Sequence, residues 1–477
     1  AQNKWVEKGD EFFNDLDFIR AIPAYQKAVK KDSTNSYAMH QIGHAYRLIG
    51  ENQKANPWYA LALSVKPDSK ENLYYYARTL LTVGEYDKAL ETYQKYNRLY
   101  PGDNRAKIYV DNPNFYHELV ADSALYEVSG LPFNSNQSDY GPSLFFQYLM
   151  FTSAREREIA VKRKSTWKDT PFQDIYMIER FSDGSFGNPK IIGQPITSKW
   201  HEGSASFDKL TQDLYFTRTS FSNNQLGEDE QGITNIEIYS SHYGDDDKWG
   251  ELIPSPFNNN EYSVVQPALS PDGKKLYFVS DMPGGIGDAD IYVSEWEGDK
   301  WGSPKNLGEP VNTASNEKNP YISPEGVLYF SSTGHLGLGG LDIYYAEPNT
   351  TGFNAPVNLG YPINTVYDDF SFTFLNDAEM VFFFASNRPG GKGEDDIYQG
   401  IFHPKETHIE AVVIIKESLE NTTIAAIMTD TKGKIIDADT LNESGMLKLN
   451  GYSKAAPYNL IFQPIFEDEI VGNIPDI

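Results

Sequence analysis

The sequence predicts a multidomain chain, helical first and then β: an α-solenoid, a five-bladed β-propeller and a small β-sandwich. Three observations carry this reading. Small and aromatic residues recur every 34 positions near the N-terminus, an Asp/Glu-Ile-Tyr tripeptide recurs five times through the middle, and short alternating strands without that tripeptide fill the end. A length of 477 residues leaves room for several domains with cores of their own.

The solenoid comes first, across residues 1–105. Ala21, Ala55 and Ala89 are 34 apart, as are Tyr25, Tyr59 and Tyr93, and Gly9 and Gly43 with Ala77 in the third place. Pro67 and Pro101 close the second and third units. Small residues at helical spacing let two antiparallel helices touch, aromatics fill the holes between them, and proline stops the second helix. This is the tetratricopeptide pattern, which the chain resembles over three units. Helix pairs of that kind stack into a concave surface lined by the first helix of each pair. The register places Tyr37, His40, His44 and Arg47 on it from the second unit, and Tyr74 and Arg78 from the third. Mixed aromatic and charged residues suit a peptide-binding groove; a solvated spacer face is the alternative. His40 and His44 stand four apart on one helix face, but no third ligand joins them, so no metal is expected.

A connector, 106–123, with room for a capping helix leads to the propeller, 124–403. The tripeptides are Asp174-Ile175-Tyr176, Glu237-Ile238-Tyr239, Asp290-Ile291-Tyr292, Asp342-Ile343-Tyr344 and Asp396-Ile397-Tyr398, at spacings of 63, 53, 52 and 54. Turns such as Ser270-Pro271-Asp272-Gly273 and glycine-rich hairpins such as Pro283-Gly284-Gly285 bracket the strands before the later copies. One unit is then a four-stranded blade. A second marker sets the closure: Pro132-Phe133-Asn134, Pro195-Ile196-Thr197, Pro256-Phe257-Asn258, Pro310-Val311-Asn312 and Pro362-Ile363-Asn364. The first precedes every tripeptide and none follows the last, so the segment 124–133 is expected to supply the final blade's outer strand, leaving no exposed edge.

Seven positions after the proline of this marker stand Asp139, Glu202, Glu317 and Asp369, with Ser263 in the remaining blade and Glu261 nearby. Carboxylates at the head of each innermost strand are expected to gather at one channel mouth. They would form a site for a cation or basic peptide, or else simply accept hydrogen bonds within their own blades. Beyond the propeller, residues 404–477 alternate as strands at Ile409 to Ile415, Thr423 to Thr429 and Met446 to Leu449, with a turn at Asp430-Thr431-Lys432-Gly433.

Composition narrows function. Lys and Arg number 41 against 67 Asp and Glu, a net charge of −26, which excludes a surface built to displace counterions from nucleic acid. Cysteine is absent, removing disulfides, thiolate metal sites and a cysteine nucleophile. No apolar run is long enough to cross a bilayer, and the opening Ala1-Gln2-Asn3 reads as a mature end after signal removal. A serine peptidase would need a nucleophile elbow and a hydrolase domain, for which the residues after the propeller are too few. A propeller glycosidase would need two of the mouth carboxylates. The chain is therefore expected to be neither an enzyme nor a cofactor protein.

The Ser-Pro-Asp-Gly, Pro-Gly-Gly and Asp-Ile-Tyr elements resemble the WD40-like repeats of TolB-type propellers, and the last segment resembles a carboxypeptidase regulatory-like domain. That order of modules is similar to the PorE-type OmpA-family proteins of the type IX secretion and gliding apparatus. The resemblance implies a periplasmic scaffold associated with the outer membrane and no cofactor. It also implies a PorP/SprF-type barrel or other type IX component as protein partner, and peptidoglycan contact only through a C-terminal OmpA-like domain that the sequence does not reach. A peptide- or glycan-binding module is the competing reading, and a propeller glycosidase a further one.

Overall fold

Six helices pair in the order their sequence period dictates: α1 (Lys4–Asn14) with α2 (Phe18–Lys31), α3 (Ser36–Leu48) with α4 (Asn52–Val65), and α5 (Lys70–Leu81) with α6 (Tyr86–Leu99). The computed structural model describes residues 4–156, 171–222, 225–375, 380–404, 406–412, 422–429, 435–440, 446–452 and 459–466. Asp17 and Asn35 cap α2 and α3, accepting the amides of Arg20 and Ala38 at 3.1 and 2.9 Å. The 34-residue period has a direct packing cause. Ala21, Ala55 and Ala89 are fully buried, and a Cβ on Gly9 would come within 2.5 Å of the Tyr25 ring. In the first two units the tyrosine of the second helix, Tyr25 or Tyr59, thus lies where the first helix has no side chain.

Two short helices, α7 (Lys107–Asp111) and α8 (Phe115–Val120), carry the chain to the strands and fasten the helical arm to them. Tyr109 stacks on Tyr93 at 4.5 Å and its hydroxyl accepts the Gly337 amide at 3.3 Å. Leu119 accepts the Tyr361 amide at 2.8 Å, and Leu336 packs into the core of α5, α6 and α7. The sequence reading separated the arm, 1–105, from the strands, 124–403. The structure makes residues 1–401 a single compact unit and Phe402–Ile477 a second.

Within the first unit the strands form five four-stranded sheets. The first runs Asp139–Phe145, Tyr148–Ser153, Asp174–Glu179, Lys190–Ile191, and the second Glu202–Asp208, Asp213–Thr219, Ile236–His242, Ile253–Pro254. The third is Val264–Leu269, Lys275–Ser280, Asp290–Glu295, Lys305–Asn306, and the fourth Glu317–Ile322, Leu328–Ser332, Asp342–Ala346, Val357–Asn358. In the fifth, Asp369–Phe374, Val381–Ser386 and Asp396–Phe402 are joined by Tyr126–Gly130 from the start of the strand region. The inner strands of successive sheets lie against one another, and that of the fifth lies against that of the first.

The two sequence markers find their physical reasons here. The carboxylates that open the last three Asp-Ile-Tyr strands turn back into the preceding glycine-rich loops, Asp290 accepting the Gly287 amide at 3.1 Å. Asp342 accepts the amides of Leu338 and Gly339, and Asp396 those of Lys392 and Gly393. A Cβ on Gly337 would sit 2.1 Å from the Asp342 carboxylate, so glycine is required for the loop to wrap it. The Asn of the Pro-x-Asn marker clasps the Ile of the tripeptide from both sides. Asn364 accepts the Ile343 amide at 2.7 Å and donates to the Ile343 carbonyl at 2.8 Å. Asn258 and Asn312 do the same to Ile238 and Ile291, and Asn134 reaches Ile397 of the last sheet. Thr197 holds this place in the first sheet, and its hydroxyl is buried without a partner among the described residues.

All five inner strands carry a register shift at one residue with positive φ: Gly141 (64°), Ser204 (23°), Gln266 (55°), Asn319 (52°) and Ser371 (57°). Such backbone costs about 1–3 kcal/mol for a residue other than glycine. The bulges are cross-linked from sheet to sheet, since Thr152 Oγ1 accepts the Ser204 amide and Thr217 Oγ1 the Gln266 amide, at 2.9 and 3.0 Å.

In the second unit, Glu406–Val412 pairs with Met446–Tyr452, and Thr422–Thr429 lies between Ile435–Thr440 and Asn459–Phe466. The expected strands at Thr423 to Thr429 and Met446 to Leu449 fall on these. The end of the Ile409 strand and the turn at 430–433 lie outside the described residues.

Candidate functional site

The head of the inner strands is where the sequence placed an acidic ring. Asp139, Glu202, Glu317 and Asp369 are all buried, at 0 to 1% exposure, at the first position of their strands. Each folds back on the loop before it. Glu317 accepts the Thr313 amide and hydroxyl at 2.7 and 2.8 Å and the Ser332 hydroxyl at 2.6 Å. Asp369 accepts the Thr365 amide and hydroxyl at 2.6 and 2.7 Å, and Glu202 the Ser198 amide at 3.0 Å. Asp139 accepts the Ser135 amide.

Arginines complete the set, Arg218 at 3.7 Å from Glu202 among them, and sequence reasoning missed them. Arg155 lies 2.8 Å from Asp139 and reaches the Phe133 carbonyl; Arg388 lies 2.6 Å from Asp369 and reaches the Ile363 carbonyl at 2.6 Å. For Arg155 and Arg388 the signal was present, since each stands two positions past a strand-ending serine, Ser153 and Ser386. The carboxylates are therefore spent on protein groups, tying the marker loop that leaves one sheet to the inner strand of the next. Glu261 does not belong with them: it is exposed on a turn and its amide donates to Asn259, because the third sheet begins only at Val264.

Burial shifts Glu317, Asp369 and the nearby Asp342 upward. Glu317 is pushed up to about 7, chiefly by desolvation. Asp342 is pushed up to about 8 by burial and then by the charge of Asp369. An acid whose folded pKa is raised holds its proton more tightly when folded. Its contribution to stability is full below the unfolded value and is lost as pH rises through the folded one. Melting temperature is therefore expected to fall between pH 5 and pH 8, and Glu317→Gln to flatten that slope. Parallel pH profiles for the two proteins would refute the shift.

On the helical arm the six groove residues divide. Tyr37 is 51% exposed, its hydroxyl donating to Asp10 at 2.8 Å. His40 hydrogen-bonds the Asn72 side chain at 2.6 Å. His44 stacks on Tyr75 and is pushed down to about 3, chiefly by burial, so it is neutral at physiological pH. Arg47 lies over the Tyr75 ring at 4.5 Å. Tyr74, by contrast, is only 5% exposed, covered by the Arg105 guanidinium at 4.2 Å, and cannot offer its ring to a partner as the sequence suggested. Arg78 is half-buried on the same helix, in the electrostatic reach of Tyr74, Tyr93 and Tyr109. The cause lies within the arm: Arg105 covers the Tyr74 ring while Tyr75, Tyr93 and Tyr96 pack around it at 5.3 to 6.4 Å. What remains beside it is a cleft of about 830 Å³ between arm and fourth sheet, lined by Lys70, Tyr100, Arg105, Ile108, Thr313 and His335. Lys70 and Arg105 both pair with Asp103 there, at 2.8 and 2.9 Å.

Helix pair, fully buried Ala55 and Tyr59, and proline after the second helix all recur in the 34 residues of the middle repeat. Residues 36–69 match the tetratricopeptide repeat family. Among solved structures, the second tetratricopeptide domain of human RPAP3, in complex with the HSP70 peptide SGPTIEEVD, is 20% identical. That match covers 21% of this chain and 83% of that one, at a TM-score of 0.20. MamA is 23% identical over 24% of this chain and 63% of its own, at a TM-score of 0.20. MamA of AMB-1 is 20% identical over 20% and 56%, at 0.19. The chain thus spans less than two thirds of the MamA structures. No curated protein matches it. The tetratricopeptide match suggests a protein-interaction role, no enzyme family is indicated, and no helix among the described residues is long and apolar enough to cross a membrane.

Proposed function

We propose that the chain is a non-catalytic periplasmic scaffold of the PorE type, serving a type IX secretion or gliding apparatus. On this reading the five sheets form a closed, WD40-like, TolB-type five-bladed propeller, and the second unit is a carboxypeptidase regulatory-like sandwich. The observation that carries the proposal is the seating of the tetratricopeptide arm on the strand region. Tyr109, Leu119 and Leu336 join the two into one body, which suits a rigid spacer presenting several surfaces. Support also comes from the mouth carboxylates. An acid–base pair needs a carboxyl group free to meet substrate, whereas Asp139, Glu202, Glu317 and Asp369 are each bound up with loop amides, hydroxyls or arginine. The partner is a PorP/SprF-type outer-membrane barrel or another type IX component, and peptidoglycan contact belongs to an OmpA-like domain rather than to these residues.

The test is an affinity pull-down of the full-length gene product from its native envelope, under mild detergent that preserves other envelope complexes. Recovery of an outer-membrane barrel or a secretion component is the expected result. A clean preparation that recovers neither would rule out bridging.

A further inference from the structure

At the opposite end of the sheets from the tetratricopeptide arm lies a cavity of about 440 Å³, within the size range of small-molecule sites. The arm meets the loops that follow the second and the outer strand of the fourth sheet, at Gly337 and Tyr361, whereas the cavity is bordered by the hairpin turns at Asp208–Leu210 and Ser270–Pro271. Every inner strand contributes to its wall, at and beside the five left-handed bulges: Ser143, Ser206, Gln266, Asn319 and Ser371 among them.

Two of these side chains are nine-tenths buried and unspent. Ser371 is 6% exposed, and its hydroxyl has no hydrogen-bond partner among the described residues. Asn319 is 8% exposed; its backbone amide donates to Gln266 Oε1 at 2.9 Å, while its side-chain amide bonds to nothing among the described residues. The Ser143 hydroxyl, from the neighbouring sheet, is also unpartnered. Buried polar groups are ordinarily paired, by protein, water or ligand. The half-buried Tyr321 stands beside them as an aromatic face.

Charge selects the class of ligand. The charged residues of the wall are at its rim: Asp208, whose carboxylate is engaged by the Leu210 amide and the Thr211 hydroxyl at 2.8 and 3.0 Å, and the exposed Lys209. An ionic ligand would find no counter-charge inside, and an apolar one would leave the amide and hydroxyls unmatched. We infer that this cavity is a binding site for a small uncharged saccharide, read by the Asn319 amide and the Ser143 and Ser371 hydroxyls, with a sugar face against Tyr321.

Glycine gives clean variants, because it adopts positive φ without strain and deletes the polar group. Glucose, galactose, mannose and N-acetylglucosamine are titrated into residues 1–477 by calorimetry and saturation-transfer NMR, with the tripeptide Gly-Ser-Gly as comparison. At least one sugar is expected to bind, and Asn319→Gly and Ser371→Gly each to weaken it tenfold or more while the melting temperature holds or rises. Should one variant fail to fold, the other decides. The inference is overturned if no sugar binds, if binding survives in both variants, or if the tripeptide binds as tightly as the best sugar.

Discussion

Deletion of residues 124 to 133 is expected to leave the strand region unable to fold at 25 °C. The segment contributes more than an edge strand. Leu131 is 5% exposed in a cluster with Phe151 and Tyr176 of the first sheet and Phe383 and Ile397 of the fifth, and Phe133 packs against it. Truncating a buried aliphatic or aromatic side chain costs about 2–5 kcal/mol each, and whole-domain stabilities are about 5–15 kcal/mol. The Leu131 amide bond to the Ile397 carbonyl, at 3.0 Å, is lost as well. Asn134→Ala is the graded version, stranding one amide and one carbonyl of Ile397 for a loss of roughly 2–4 kcal/mol. Circular dichroism melts would check both. A deletion protein melting within a few degrees of the parent would show that the fifth sheet does not depend on this strand.

Tyr109→Ala is expected to split the unfolding of residues 1–401 into two events. Tyr109 is 7% exposed, stacks on Tyr93, meets Phe115 edge-on at 5.4 Å and takes the Gly337 amide. Loss of a buried aromatic ring costs about 3–5 kcal/mol, here concentrated at the join between arm and sheets. Calorimetry should show one transition in the parent and a separate, earlier arm transition in the variant. A single, merely lowered transition would mean that Leu119 and Leu336 suffice to couple the two parts.

These two expectations mark where local pattern informs and where it stops. The 34-residue period located the helix pairs because Gly9 faces Tyr25 within one repeat, a local relation. The Asp-Ile-Tyr and Pro-x-Asn markers located strands because each carries a hydrogen-bonding task confined to its own sheet. The burial of Tyr74 was illegible. It follows from Arg105 and Tyr96 closing over its ring, a packing that the small-residue and aromatic period does not encode. The fate of the carboxylates that head the inner strands was half legible. Their recurrence showed a shared role, but Ser or Thr four positions earlier, which reveals the role as a loop lock, went unread, and Glu261 was drawn in by proximity alone. The bulges had a signal too: Gly141, Gln266 and Asn319 each precede proline, a residue that disrupts a strand ladder.

The borrowing of Tyr126–Gly130 by the last sheet also imposes an order of events on biosynthesis. Asn134 and its partner Ile397 are 263 positions apart, so the first strand to leave the ribosome must wait for the last before it is paired. Contacts of such separation are made late, because loop closure is unrewarded until both ends exist. Throughout that interval Leu131 and Phe133 have no core to enter, and a nascent chain in this state is open to pairing with another copy of itself. The arm, complete within its first hundred residues, can fold during the wait. The strand region is committed only when its final tripeptide arrives.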